Sequence, residues 1–317
     1  MKHYDVVVIG SGVAGISALI WLKQLGLHAV MFEKNSAIGG QLINVHNPIL
    51  DYPGLYNLTG NEMITKLTHH LEALECKWET GVEVLSLDIQ KNHVVLNLSQ
   101  SVLNGKTLFA HYVIIATGAQ ERRLAIPGED KLLEYQGNLS TSQDFSLFKN
   151  KKIVLVGGGD RACIGANRLK DVAKEVILIH KRNSFTARKE FIDPLLKSSR
   201  ITIKCHSIVT EILWRDNKIE SVKVKDLLNQ NESMIEADIV LIRIGIEPIL
   251  DLFKQYLSKE DKIISTNNYG KTHFSDRIYA IGDISHAPEY SSISVSVGQG
   301  MVAARDISLH IRKAGIL

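Results

Sequence analysis

Tyr4-Asp5-Val6-Val7-Val8-Ile9-Gly10-Ser11-Gly12-Val13-Ala14-Gly15 decides how the rest of this chain reads. Val6-Val7-Val8-Ile9 is a β-branched apolar run too short for a helix, so it reads as a buried strand. The spacing Gly10-x-Gly12-x-x-Gly15 then opens a helix of small residues. Gly10 permits a tight turn, Gly12 lets the backbone approach a pyrophosphate, and Gly15 lets the helix pack close to the strand. The first N–H groups of such a helix lack intrahelical partners and present a positive dipole end to phosphate. A second strand, residues 29–32, ends at Glu33. An acid about twenty residues past the glycines is where a ribose hydroxyl is held. The bland alternative is a tight strand–helix turn with no ligand; strand, helix and acid together favour dinucleotide binding.

The bulk numbers exclude several classes. The 317 residues are enough for two domains, and 45% apolar content implies a folded core. A formal net charge of +3 is too small to argue for nucleic acid. Asp5 precedes the early apolar run and the glycine spacing explains it, so it is not an export signal. No stretch approaches the roughly eighteen apolar residues of a membrane span. Cys76, Cys163 and Cys205 are far apart, with neither C-x-x-C nor zinc-finger spacing. That suits a reducing cytoplasm, with each cysteine a buried small hydrophobe and no metal site.

After Glu33, Gly39-Gly40-Gln41 suggests backbone close to a ligand with an amide to read it. Asp51-Tyr52-Pro53-Gly54 is a turn. Residues 61–74 carry Met63, Ile64, Leu67 and Leu71 at helical spacing. Residues 82–109 read as a small β meander broken at Asn92-His93 and Asn104-Gly105. Residues 111–118 form a strand running into a small-residue turn.

The opening theme then repeats. Strand residues 152–156 run into Gly157-Gly158-Gly159-Asp160-Arg161-Ala162, with Ala162 in the third small position. The following strand, 176–179, ends in His180-Lys181-Arg182 rather than an acid. A basic pair there suits the 2′-phosphate of NADP, and Arg188 adds to it; the alternative is a solvated basic loop. A second small β region spans 201–224, and residues 237–244 form another buried strand. Finally, a strand ending in Gly282-Asp283 places a carboxylate at a sheet's C-terminal edge, where ligands bind in such folds. Asp283 is read either so or as a helix cap. Residues 291–305 read as a helix with small residues on one face.

Two glycine units, Gly39-Gly40-Gln41-Leu42, Asp51-Tyr52-Pro53-Gly54, Ala116-Thr117-Gly118-Ala119 and Gly282-Asp283 occur in this order in low-molecular-weight thioredoxin reductases. The chain resembles that family from Tyr4 to about Asp306. The resemblance implies an α/β fold of two Rossmann-like domains of three-layer ββα type. An NAD(P)H domain (118–246) would be inserted into a discontinuous FAD domain (1–117 and 247–317), with the crossings near Gly118 and Gly245 as the hinge. It assigns Gly10, Gly12, Ala14, Gly15 and Glu33 to the ADP half of FAD. Gly40, Gln41, Val84, Thr117, Gly118, Asp283, Ser291 and Ser292 fall around the rest of the FAD. The helix near Ser291 would point its N-terminus at the flavin, a dipole that favours negative charge there. Gly157, Gly159, Asp160, Ala162 and Gly245 would take the nicotinamide nucleotide. Lys181 and Arg182 stand where the family has two arginines for the 2′-phosphate. A third family arginine aligns with Thr186, so NADPH is expected and NADH stays open. A homodimer is implied as well.

The departure from the family decides the function. Thioredoxin reductases carry C-x-x-C-D just before the second glycine strand; here the slot reads Ser140-Thr141-Ser142-Gln143-Asp144. Thiolate sulfur is a nucleophile that stores two electrons as a disulfide, and serine and glutamine do neither. Asp144, a proton donor in the family, has lost its client. Electrons entering from NAD(P)H and resting on FAD must therefore leave by another route. The first expectation is a reductase of ferredoxin or flavodoxin, like the thioredoxin-reductase-type ferredoxin–NADP reductases. Arg122, Arg123, Lys149, Lys151 and Lys152 would steer the acidic carrier. This chain ends without the flavin-covering aromatic those enzymes carry. The alternatives are a reductase of a small disulfide or quinone, and a flavin-binding redox sensor with little turnover.

Overall fold

The computed structural model describes residues 2–102, 105–136, 139–141 and 145–315. The chain forms two compact units, Met1–Gln120 with Glu247–Leu317, and Glu121–Ile246. Its two crossings run as strands Ala119–Glu121 and Ile246–Pro248 of a two-stranded ribbon.

In the first unit, strands Trp78–Thr80, Ala29–Glu33, Lys2–Ile9 and Gly105–Ile115 lie side by side and parallel. The C-terminal half of Gly105–Ile115 also pairs in parallel with Ile278–Ala280. Its N-terminal half pairs antiparallel with Val94–Val102, which in turn pairs with Val84–Ile89. The sequence divides this region into a meander ending at Phe109 and a strand starting at His111. The structure has one 11-residue strand instead. No turn-forming residue stands at 109–111, so nothing stops the ladder. The turn at Asn92-His93 is closed by Gln90 N–H donating to the His93 carbonyl at 2.9 Å. Asn104 of the second expected turn lies outside the described residues.

Alternation along the strands builds two cores. Val6 and Val8 pack with Ile16, Leu19 and Leu22 of helix Val13–Gln24, and with Ala303 and Ile307 of helix Ile293–Lys313. Val7 and Ile9 face the other way, onto Val84, Leu87 and Leu96 of the meander. A strand covered on both faces reads as an unbroken apolar run, which is why 6–9 shows no polar alternation. Helix Gly60–Ala73, expected at 61–74, starts on a capping box. Thr59 Oγ1 accepts from Glu62 N–H, and the Glu62 carboxylate accepts from Thr59 N–H.

The second unit repeats the plan with parallel strands Ile201–Lys204, Glu175–Ile179, Lys152–Val156 and Ile239–Ile242. Ile153 and Leu155 pack under helix Asp160–Leu169, on Ala162, Cys163 and Ala166. Val154 and Val156 face a three-stranded antiparallel sheet of Ser207–Arg215, Lys218–Asp226 and Glu232–Glu236. The single β region expected at 201–224 is thus two things. Residues 201–204 join the parallel sheet, and the antiparallel sheet begins at 207. His206, in the left-handed region at φ 49°, turns the chain between them. The fold is the expected α/β pair of Rossmann-like domains, one inserted into a discontinuous other. Among the described residues, no helix is long and apolar enough to cross a membrane. No His, Cys, Asp or Glu group there could hold a metal ion.

Candidate functional site

At the first glycine turn the three glycines have different work. A Cβ on Gly10, at φ 101°, would lie 2.4 Å from the Ala116 carbonyl oxygen, and one on Gly15 would lie 2.0 Å from that of Gly10. Both close the turn against the strands. Gly12 has no neighbour within 4 Å of a Cβ, so the space beside it is open. It is the N-cap of helix Val13–Gln24, which has no side-chain cap and no acid in its first turn. An open face beside an uncapped helix end fits the pyrophosphate of FAD. The Gly39-Gly40 loop leans on this turn: Gly39 N–H donates to the Ser11 carbonyl at 3.0 Å, and a Gly40 Cβ would meet Gly12 Cα at 2.9 Å. Ala14 serves packing, since a Cβ on Gly282 or Gly300 would meet its atoms at 3.1 and 2.6 Å.

Glu33 is buried and its carboxylate is fully engaged. One oxygen accepts from Ser11 N–H at 3.0 Å and Ser11 Oγ at 2.7 Å. The other accepts from Asn35 N–H at 2.9 Å and Asn35 Nδ2 at 2.8 Å. A carboxylate has about four acceptor positions, so a ribose hydroxyl must displace one of these donors. Glu33 here ties the glycine turn to the neighbouring strand.

Gln41 and Asp283 come together from opposite ends of the chain, with Gln41 Nε2 donating to Asp283 Oδ2 at 2.6 Å. Asp283 is not the helix cap. Ser292 is, its Oγ accepting from Val295 N–H at 3.0 Å at the head of Ile293–Lys313. His286 Nε2 stands 3.6 Å from the second Asp283 oxygen. Both His286 ring nitrogens and Ser291 Oγ are buried without a hydrogen-bond partner. His286 is the residue the sequence reading missed; its only signal was a histidine three positions past a strand-end aspartate. Val84 is buried within its strand pair. Gly118, at φ 67°, accepts on its carbonyl from Ile249 N–H at 3.0 Å, and Thr117 Oγ1 donates to the Ile249 carbonyl at 3.4 Å.

The second turn is built alike. A Cβ on Gly157 would meet the Arg243 carbonyl oxygen at 2.2 Å and Ala162 Cβ at 3.1 Å. Gly159 is an N-cap without a side-chain cap, and its nearest neighbour, Thr186 Oγ1, is 3.8 Å from a Cβ. This turn too has room for a phosphate. The buried His180 ring lies over Gly158, so close that a Cβ there would fall 2.2 Å from the ring; burial holds its pKa below the usual histidine value. Lys181 and Arg182 are exposed. Asp160 and Arg188, both expected at the nucleotide, bind each other. The Asp160 carboxylate accepts from Arg188 N–H and Nε, each at 2.8 Å. Arg188 Nη1 also lies 3.1 Å from Glu190, and its guanidinium sits 4.5 Å above the Phe191 ring. Gly245, at φ 101°, accepts on its carbonyl from Arg122 N–H at 3.0 Å.

The three cysteines are all free. Cys163 is fully buried in the helix after the second turn, and burial pushes its thiol up to about 11. Burial raises Cys76 as well. Of the stretch Ser140-Thr141-Ser142-Gln143-Asp144, Ser140 and the buried Thr141 are described; Ser142, Gln143 and Asp144 lie outside the described residues.

The family described as pyridine nucleotide-disulphide oxidoreductase matches residues 4–300. A thioredoxin reductase of Mycoplasma genitalium is 30% identical over 304 residues, covering 95% of this chain and 93% of that protein. One from Listeria innocua is 28% identical over 313 residues, covering 98% and 95%. The crystal structure of Lactococcus lactis thioredoxin reductase superposes with a TM-score of 0.85 at 26% identity, covering 98% of this chain and 99% of that one. With two open glycine turns on two Rossmann-like units, the chain belongs to the pyridine nucleotide-disulphide oxidoreductase family, as a thioredoxin-reductase-like oxidoreductase whose cofactors are FAD and NADPH.

Proposed function

We propose that the first unit holds FAD, the second holds NADPH, and electrons leave the flavin directly for an acceptor outside the chain. The chemistry of the sulfur carries this reading. Relay through a dithiol needs a reactive thiolate with a partner thiol. Here every cysteine is free, and the Cys163 thiol, pushed up to about 11, stays protonated at neutral pH. FAD, when bound, supplies the redox step, taking hydride from NADPH and passing electrons on. The chain's residues bind and orient. Gly12 and the helix end behind it take the ADP pyrophosphate, Gln41 and Asp283 face flavin and ribitol, and Lys181 and Arg182 take the 2′-phosphate. Arg188, already held by Asp160 and Glu190, steadies the loop instead.

The acceptor we place first is ferredoxin or flavodoxin, in a cytoplasmic homodimer. One observation favours the second reading, a small disulfide or quinone. Of the cations expected to steer an acidic carrier, Arg123 is paired with Asp130 at 2.6 Å, Lys151 lies 4.0 Å from Asp238, and Lys152 is bonded to Glu236. Their fields are largely cancelled by the chain's own acids. The deciding experiment reduces the purified yellow protein anaerobically with NADPH or NADH, then offers ferredoxin, flavodoxin, thioredoxin, small disulfides and quinone in turn. Rapid flavin reoxidation by the first two is expected. Reoxidation only by a disulfide or quinone transfers the assignment to the second reading. Flavin that NADPH reduces slowly or not at all identifies a sensor, and a preparation that retains no FAD ends the proposal.

A further inference from the structure

Beside the second glycine turn stands a charged cluster of Arg161, Glu121 and Arg243. Arg161 is the second residue of helix Asp160–Leu169, whose N-cap is Gly159. A cation in the first turn of a helix opposes the helix dipole, so helix stability does not account for it. Asp160 beside it does not neutralise it, because that carboxylate is taken by Arg188. Arg161 Nη2 instead meets Glu121 Oε1 at 2.5 Å, and the other Glu121 oxygen lies 3.7 Å from Arg243 Nη1. Arg243 is fixed in place. Its side chain is largely buried, donating from Nη1 to the Ile242 carbonyl at 2.8 Å and from Nη2 to the Leu139 carbonyl at 2.5 Å. Its own carbonyl closes the turn against Gly157. Two guanidinium groups therefore share one carboxylate at the helix that starts on Gly159, an N-cap with no side-chain cap. Arg161, half exposed, is the one free to move.

We propose that Arg161 is a ligand for the pyrophosphate of the nicotinamide nucleotide, and that Glu121 holds it back until the nucleotide binds. On binding, Arg161 exchanges Glu121 for phosphate oxygens, and Glu121 stays with Arg243, so no charge is left unpaired. The inference rests on the reading that this unit holds NADPH. The pyrophosphate is common to NADPH and NADH, so the effect of Arg161 is the same for both. That separates it from Lys181 and Arg182, which face the 2′-phosphate alone.

The test is titration of the FAD-loaded protein with NADPH and with NADH, reading Kd by calorimetry. Arg161→Gln raises both Kd values about tenfold, the loss of one charge-assisted bond. Arg161→Lys raises both by less, because the charge remains. Glu121→Gln lowers both by about threefold, since the restraint it removes is an exposed ion pair. Gln in place of Lys181 and Arg182 raises the NADPH value only. Melting temperatures of each variant, compared with the parent protein, show that the fold persists. The proposal is overturned if Arg161→Gln leaves both Kd values within twofold, if its loss is confined to NADPH, or if Glu121→Gln weakens binding. Failure of the parent protein to bind either nucleotide would defeat the underlying assignment of the unit, a different result from a parent that binds and a variant that binds equally well.

Discussion

At the scale of single residues, the glycines separate fold from function. A methyl group on Gly15 would sit 2.0 Å from the Gly10 carbonyl oxygen, inside hard contact. Gly15→Ala is therefore expected to lower the melting temperature severely or prevent folding. Gly12→Ala meets nothing within 4 Å, and its φ of −66° suits alanine. That variant is expected to melt near the parent temperature yet lose FAD affinity by tenfold or more, measured by flavin fluorescence on dilution. Equal FAD retention by Gly12→Ala and the parent would remove the pyrophosphate from this turn. The close packing at Gly10 and Gly15 was legible because a missing Cβ acts on its immediate surroundings. The bonds that Ser11 and Asn35 give to Glu33 were not, because the glycine spacing says nothing of what else that carboxylate accepts. Cys163 yields a pH prediction. Its thiol ionises near 9 when unfolded and near 11 when folded. The folded state thus keeps the proton longer; the stabilisation is whole below pH 9 and is lost as pH rises to 11. Two units correspond to about 2.7 kcal/mol. Urea melts of the parent and Cys163→Ala should show their stability gap shrinking by an amount of that order between pH 9 and 11. A gap independent of pH would place the thiol in contact with solvent.

At the scale of elements, local signals and long-range contacts contribute differently. Helix Gly60–Ala73 was readable to within a residue because its start is written locally, in Thr59 and Glu62. Thr59→Ala removes the oxygen that caps Glu62 N–H and should cost about 1 kcal/mol in a urea melt. A change under about 0.3 kcal/mol would show that the box contributes little. Helix Ile293–Lys313 depends on a distant contact. Gly300 crosses helix Val13–Gln24 where a Cβ would lie 2.6 Å from the Ala14 carbonyl oxygen and 2.8 Å from Ala18 N. Gly300→Val should therefore destabilise by about 1–3 kcal/mol, and should loosen FAD as well, since Ala14 lies just past the first glycine turn. Its face of small residues is legible in the sequence, but what that face packs on is not. The same limit explains strand 201–204. Its apolar content was visible, but its parallel pairing with Glu175–Ile179 is reached through the crossover that carries helix Lys189–Leu196, and the left-handed turn at His206 only then leads the chain into the antiparallel sheet.

At the scale of the whole molecule, the repeated strand–glycine–helix motif made the two-unit plan legible, because each repeat closes its own parallel sheet. What the chain does with its electrons turns on sulfur. Cys76 lies in the first unit, and Cys163 and Cys205 lie in the second. None is in a disulfide, and the two buried ones, Cys76 and Cys163, carry thiols raised by burial. Raised thiols are poor nucleophiles at neutral pH. If electrons pass directly from flavin to acceptor, removing all three sulfurs leaves the route intact. The triple variant Cys76→Ala, Cys163→Ala, Cys205→Ala is expected to be less stable, since two of the sites are packed in the core and each truncation opens a small cavity. At a temperature where it is folded, it should still oxidise NADPH with the physiological acceptor at a kcat within about twofold of the parent. Alanine removes every thiol without leaving a buried hydroxyl in need of a partner, so a fall in turnover cannot be assigned to an unsatisfied polar group. Stopped-flow reduction of the flavin by NADPH should be unchanged in the same variant, and reoxidation by the acceptor should be unchanged too. A variant that reduces its flavin at the parent rate but fails to reoxidise would show that a cysteine carries the second half of the reaction.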